Sequence, residues 1–290
     1  VNPIKHATLA SYYYGSAPLR RCRNRRLVRA GRAPIMAVAY HRIADDAANA
    51  WTTSRNVFRR GVLWLKKNFD LISLEEAQRR IRSETNGRPA VSISFDDGYA
   101  INCDWALPFL LEQNIPFTYF VTHGFVSGND FFPHDWNAGK LFKPNTLAQI
   151  KELAAAGVEI GGHSRNHPDI GSIDDEATLV DEVVTSSRDL EDAIGRPVRY
   201  FAFPFGQHAN LSRRAFELAA DAGFEGLVSA YGGYNFPGDD PFHLQRMCVD
   251  GPLLRLKNWV TLDPYKQWTI PRYEYRPHGV SPAIAGVETR

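Results

Sequence analysis

The chain has 290 residues, and its 34 Lys and Arg nearly cancel its 32 Asp and Glu, leaving a formal charge of +2. A hydrophobic content of 44% with 23% charged residues describes a globular chain and excludes a disordered one. The longest apolar runs fall far short of the ~18 residues a membrane span needs. The three cysteines, Cys22, Cys103 and Cys248, are too scattered for a disulfide framework or a zinc cluster and weakly suggest a reducing compartment.

The small net charge hides a split. Residues 1–33 hold Lys5, Arg20, Arg21, Arg23, Arg25, Arg26, Arg29 and Arg32 and no acid, so this arm carries +8 and the remainder −6. A secretory signal places its charges before its apolar stretch; here the order is reversed. The arm is read as a solvated segment packed on the acidic body, with docking to a partner or to a membrane surface as its other use. No secretory signal is read in this chain, and a cytoplasmic or membrane-peripheral address is expected. A basic arm can bind nucleic acid weakly, but the acidic body offers no fold for specific recognition.

From residue 33 onward, short apolar runs alternate with helical patterns. Strands are expected at 35–40, 91–95, 117–121, 158–160, 200–203, 226–229 and 244–249, with a further one at 70–72. Ser73 followed by Glu76 reads as a helix start, as does Thr146 with Gln149. A long amphipathic run from Asp174 ends at Gly195, and another from Asn210 ends at Gly223. Strands separated by helices imply a parallel sheet, and about seven such units fit an α/β barrel better than an open doubly wound sheet. No Gly-x-Gly-x-x-Gly fingerprint follows any strand, which counts against a dinucleotide site. The expected organisation is a basic arm at 1–33, a single catalytic barrel domain at 34–265 and a tail at 266–290.

Two motifs carry the chemistry. Ser94-Phe95-Asp96-Asp97-Gly98 follows an apolar strand. Asp-Gly is a common turn pair, yet two adjacent carboxylates at a strand end repel each other and lie where β/α barrels keep their sites. His163-Ser164-Arg165-Asn166-His167 follows a Gly161-Gly162 pair; two histidines four apart face one metal if the segment coils helically. One Asp and two His make an open three-ligand set, and the second Asp remains to act as a base. Those donors suit Zn²⁺ first, then Co²⁺, Ni²⁺ or Mn²⁺.

On these residues the chain resembles the polysaccharide deacetylases, carbohydrate esterase family 4, with its nodulation-type chitooligosaccharide deacetylase homology domain. The resemblance spans roughly residues 35–250. It implies a distorted (β/α)7-type barrel and a metal-dependent hydrolase that removes N-acetyl groups from a glycan or sugar polymer. It implies metal ligation by Asp97, His163 and His167, with Asp96 as general base. Phe201-Ala202-Phe203-Pro204-Phe205-Gly206 is similar to a third family segment, which implies an oxyanion contact from the Phe205 backbone beside Pro204. Two departures stand out. Ala202 replaces the arginine that orients the base, and Arg246 stands where the family has a histidine acid. Arg246 is therefore expected to brace Asp96. The general acid is sought at His41, in a Tyr-His-Arg segment similar to that of exopolysaccharide-type members, or at His134, in an aromatic loop suited to sugar stacking. His123, His208 and His243 are weaker candidates. An O-acetyl esterase or amidohydrolase on the same scaffold, and a non-catalytic carbohydrate-binding relative, are the competing readings.

Overall fold

The computed structural model describes residues 3–46, 48–128 and 131–275, apart from the side chain of His134. Its strands in chain order are β1 (Ile35–Tyr40), β2 (Arg42–Ile43), β3 (Thr52–Thr53), β4 (Asp70–Ile72), β5 (Ala90–Phe95), β6 (Phe117–Val121), β7 (Glu159–Gly162), β8 (Tyr200–Ala202), β9 (Gly226–Val228), β10 (His243–Leu244) and β11 (Arg246–Cys248). The main sheet runs β10-β9-β8-β7-β6-β5-β1-β11, with β4 added to β5, and every pairing in it is parallel. β1, β5 and β6 are buried along their whole length. This is why they read as unbroken apolar runs: helices cover one side of a parallel barrel and its own core fills the other.

β10 and β11 stand at opposite ends of that order, yet only Gln245 separates them in the chain. His243 pairs with Leu227, while Arg246 pairs with Ala37. One short segment therefore bridges both ends of the sheet and leaves a nearly closed, distorted barrel. The expected single strand at 244–249 is split in two. Gln245 leaves the ladder, donating its backbone N–H to Asn235 Oδ1 at 2.8 Å and its Nε2 to the Tyr234 carbonyl at 3.1 Å.

The expected helix starts are present. Ser73 Oγ accepts from Glu76 N–H at 3.1 Å before the helix Leu74–Arg82, and Thr146 with Gln149 forms a capping box before Leu147–Ala155. The run up to Gly195 is helical from Glu176 and contains a π-helical turn at Asp181–Thr185. Gly195 ends it in the left-handed conformation, φ 68°.

The N-terminal arm forms two helices, Pro3–Gly15 and Ala17–Arg29. It is anchored by one arginine. Arg20 is buried and donates from Nη1 to the Asn258 carbonyl at 2.7 Å and from Nη2 to Asn258 Oδ1 at 2.6 Å, while Tyr12 donates to Asp263 Oδ1 at 2.6 Å. Arg21, Arg25 and Arg26 remain exposed on the outer face. At the other end, Tyr273 and Tyr275 stack on Phe216 with centroids at 5.7 and 4.5 Å, so the chain stays packed as far as Tyr275. Residues 276–290 of the expected tail lie outside the described residues.

Candidate active site

The parallel strands deliver the motif residues to one end of the barrel. Asp96 and Asp97 follow β5, His163 follows β7, Phe205 follows β8, and His41 and Cys248 stand at the ends of β1 and β11. With Trp51, Phe203, Gln207, Ala230 and His167 they line one cleft of about 340 Å³. Phe205 and Trp51 present partly exposed rings at this cleft.

The turns that aim these side chains are left-handed. Asp97 has φ 72° and Gly98 φ 92°, so the Asp-Gly pair is both a tight turn and the carrier of a buried carboxylate. The histidine segment does not coil helically. Ser164 (φ 65°) and His167 (φ 57°) fold it into a turn, with Ser164 Oγ accepting from the His167 N–H at 2.9 Å. This turn brings the two imidazole centroids to 5.0 Å in an edge-on arrangement. The glycines before it are required by crowding. A Cβ on Gly161 would stand 2.4 Å from the Phe120 ring, and one on Gly162 2.3 Å from Ser187 Oγ.

Asp97 Oδ1 stands 3.3 Å from His163 Nε2 and 3.3 Å from His167 Nε2. It is fully buried and has no hydrogen-bond partner among the described residues. The cause is readable in the tautomer. His163 Nδ1 lies 2.8 Å from the Ala202 carbonyl, which can only accept, so the ring proton sits on Nδ1 and Nε2 offers a lone pair. A carboxylate oxygen and an imidazole lone pair therefore face each other at a buried position. Such acceptors repel unless a cation lies between them, so the donor set of Asp97, His163 and His167 fits a divalent metal ion.

Asp96, one residue earlier, is paired instead. Arg246 donates to its Oδ1 at 2.6 Å and its Oδ2 at 2.9 Å, a two-pronged pair with both side chains buried. The guanidinium is fixed in turn by Ser94 Oγ (2.9 Å) and the Ser229 carbonyl (3.0 Å), and it lies 5.0 Å from the Phe120 ring centroid. Burial favours the neutral acid, yet the Arg246 charge prevails and keeps the Asp96 carboxyl below its usual range. The expected contact between Arg246 and Asp96 is thus present.

Across the cleft, His41 Nδ1 lies 2.6 Å from Asp250 Oδ2. The other oxygen of Asp250 accepts from the His41 N–H at 3.3 Å and from Thr53 Oγ1 at 3.2 Å. Burial works against charge on His41, but the Asp250 carboxylate overcomes it and raises the imidazole well above its ordinary value. His134 lies on the short helix Pro133–Asn137, and its side chain is outside the described residues. His243 bonds Ser229 Oγ at 2.9 Å and burial pushes it down to about 3, while His123 bonds Ser127 Oγ at 2.8 Å. Neither lines the cleft.

Two residues here gave no sequence signal of their own. Asp250 lies two positions past β11, at the face where β/α barrels keep their sites, and that placement was the available clue. Glu182 lies on the π-helical turn and is buried. Its Oε2 accepts the backbone N–H groups of Arg165 and Asn166, both at 2.9 Å, and its Oε1 accepts Asn166 Nδ2 at 2.8 Å. It thereby fixes the turn that carries His163 and His167, and π-turns recur at functional sites.

A sequence model of the family "Polysaccharide deacetylase" matches residues 83–227, half of the chain. The chain belongs to the polysaccharide deacetylase family. It is 28% identical over 132 residues to the chitooligosaccharide deacetylase of Bradyrhizobium sp. (strain ANU 289), an alignment covering 45% of this chain and 52% of that protein. The chain thus spans about half the length of this curated relative. Among solved structures, IcaB from Ammonifex degensii matches with a TM-score of 0.65 and 23% identity, over 79% of this chain and 97% of that one. The Streptococcus pyogenes deacetylase PplD, solved with acetate, matches at 0.64 and 18%, over 79% and 99%. These two likenesses establish the shared fold: a distorted β/α barrel built as one domain.

Proposed function

We propose that this chain is a metal-dependent deacetylase that hydrolyses the acetamide of N-acetylated sugars in a glycan. The observation that carries this reading is the pairing of Asp96, clamped by Arg246, with the orphaned carboxylate oxygen of Asp97 before His163 and His167. A pure carbohydrate binder has no use for a buried, ionised base beside an open ligand set. Family membership and the chitooligosaccharide deacetylase relative support the substrate class.

When bound by Asp97, His163 and His167, a divalent cation, Zn²⁺ first by donor chemistry, would supply Lewis acidity for the attacking water and the scissile carbonyl. The rest falls to the protein's own groups. Asp96 accepts the proton of the attacking water. The Arg246 clamp keeps it ionised and aimed, and the same clamp makes it a weak base, matched only to an acidified water. The Phe205 N–H donates to the carbonyl oxygen as negative charge develops there, a contact of about 3–4 kcal/mol for a well-aimed donor. His41, held protonated by Asp250, delivers a proton from Nε2 to the departing amine, and acetate leaves. Phe205 and Trp51 offer rings on which a pyranose can stack.

Acetate release from N-acetylglucosamine oligomers, with and without chelator, tests the reading. Release that chelator abolishes and Zn²⁺ restores supports it. Oligomers left intact by the metal-loaded protein, or release indifferent to chelator, would overturn it.

A further inference from the structure

The proton-donor wall holds a second group of potential ligands. His41 Nδ1, Cys248 Sγ and Asp250 Oδ2 converge on one point, 2.6, 3.4 and 3.9 Å apart as N–O, S–O and S–N pairs. A tetrahedral zinc ion with bonds of 2.0–2.3 Å separates neighbouring donors by about 3.3–3.8 Å. The S–O separation already has that size, and the S–N separation exceeds it by about 0.1 Å. The N–O pair is closer because a proton lies between those atoms, and it needs to open by less than about 1 Å to admit a cation in that proton's place.

The surrounding contacts orient the set. Thr53 and the His41 N–H hold Asp250 Oδ1, which leaves Oδ2 to face the imidazole and the thiol. Asn102 Nδ2 fixes the His41 carbonyl at 2.7 Å, and Arg255 Nη1 fixes the Asp250 carbonyl at 2.8 Å. Such outer contacts are what metal sites use to hold their ligands. Cys248 and His41 both line the cleft, so a cation has a route in.

We propose that His41, Cys248 and Asp250 form a second metal site, selective for a soft divalent cation such as Zn²⁺ or Cd²⁺, whose occupation switches off proton donation. Thiolate sets the selectivity, because hard cations gain nothing from sulfur. Binding releases two protons to solvent, one from the Cys248 thiol and one from between His41 and Asp250, and no electrons move. With the cation on Nδ1, His41 becomes a neutral imidazole, and its Nε2–H is too weak an acid to protonate a leaving amine. The site itself does not depend on the proposed deacetylase reaction; only its effect on rate does.

Cadmium titration followed by the ultraviolet thiolate-to-cadmium absorption tests the site. The probe is a Cys22→Ser His163→Ala His167→Ala variant, in which the exposed thiol and both histidines of the first ligand set are removed. One saturating equivalent of absorption is expected, and its loss in the further Cys248→Ser variant. Absorption that never saturates, that is absent, or that survives Cys248→Ser overturns the site. In parallel, the ratio of acetate release at excess Zn²⁺ to that at one equivalent is expected to fall at least about tenfold in the parent and to stay near one in Cys248→Ser. Equal ratios in the two proteins would overturn the switch. A chain that releases no acetate yet shows the cadmium band would instead count against the deacetylase reading alone.

Discussion

The two walls of the cleft use the same residue types to hold opposite things. On one, the Asp97 carboxylate faces two imidazoles 3.3 Å away and bonds to neither. On the other, the Asp250 carboxylate faces one imidazole at 2.6 Å and bonds it fully. The difference lies in where each histidine keeps its proton. His163 commits Nδ1–H to the Ala202 carbonyl and turns a bare nitrogen to the acid, so that wall calls for a cation. His41 turns Nδ1 itself to the acid, so that wall holds a proton. One backbone carbonyl, placed at the end of β8, decides which of the two a carboxylate–histidine pair becomes.

The largest effect should come from the cation wall. His163→Ala removes a ligand whose tautomer the Ala202 carbonyl fixes; metal content by elemental analysis should fall to background and acetate release by at least about 10³-fold. Retained metal would break the contrast between the walls. Asp250→Asn acts on the proton wall. It should leave metal content intact and lower kcat about 10²–10⁴-fold, since it removes the charge that keeps His41 protonated. Joint loss of metal and rate would show that the walls are not separate.

Arg246→Ala leaves the Asp96 carboxylate buried and unpaired, a loss of roughly 3–5 kcal/mol on chemical denaturation. Arg246→Lys restores a charge without the two-pronged geometry, so it should recover most of the stability and little of the rate. Full recovery of rate would mean that charge alone, and not orientation, is what Asp96 needs. Smaller again is Glu182→Gln, which retains one acceptor for the histidine turn. Metal affinity should weaken about 10–100-fold while kcat at saturating metal stays near the parent's. A fall in kcat with unchanged affinity would place Glu182 outside the cation wall's support.

Glu76, far from both walls, sets the scale for an ordinary acid. Hydrogen bonds from Arg79 and Arg80 lower its carboxyl to about 2, so its stabilisation is present above the unfolded value near 4.5 and is lost as pH falls through 2. Glu76→Gln should cost under about 1 kcal/mol at neutral pH, and the difference should vanish in acid. A larger cost would mean that surface acids matter here as much as cleft acids do.

Both ligand motifs and most strands were legible because their signals are local. Apolar runs mark β1, β5 and β6, and an acid pair after β5 marks a strand end on the site-bearing face. The histidine spacing was informative, but its geometry was not, since two left-handed residues replace the helical turn that i, i+4 spacing suggests. Asp250 and Glu182 were silent for a different reason. Each acts through partners more than a dozen residues away, and a single sequence does not show which acid a backbone N–H or an imidazole will meet. The arm's charge was plain, yet nothing distinguished Arg20, its buried anchor, from the neighbouring arginines.

The interrupted strand at Gln245 sets the order in which this molecule becomes competent. Asp97, His163 and His167 all precede residue 168, but Arg246, Cys248 and Asp250 arrive with the segment that seals the barrel. During synthesis the ligand set leaves the ribosome some eighty residues ahead of the clamp on Asp96. A nascent or truncated chain that stops before β11 would carry Asp97, His163 and His167 but lack the partners that Asp96 and His41 hold in the complete barrel. Closing the ring therefore delivers the partners of both Asp96 and His41 on a single short stave.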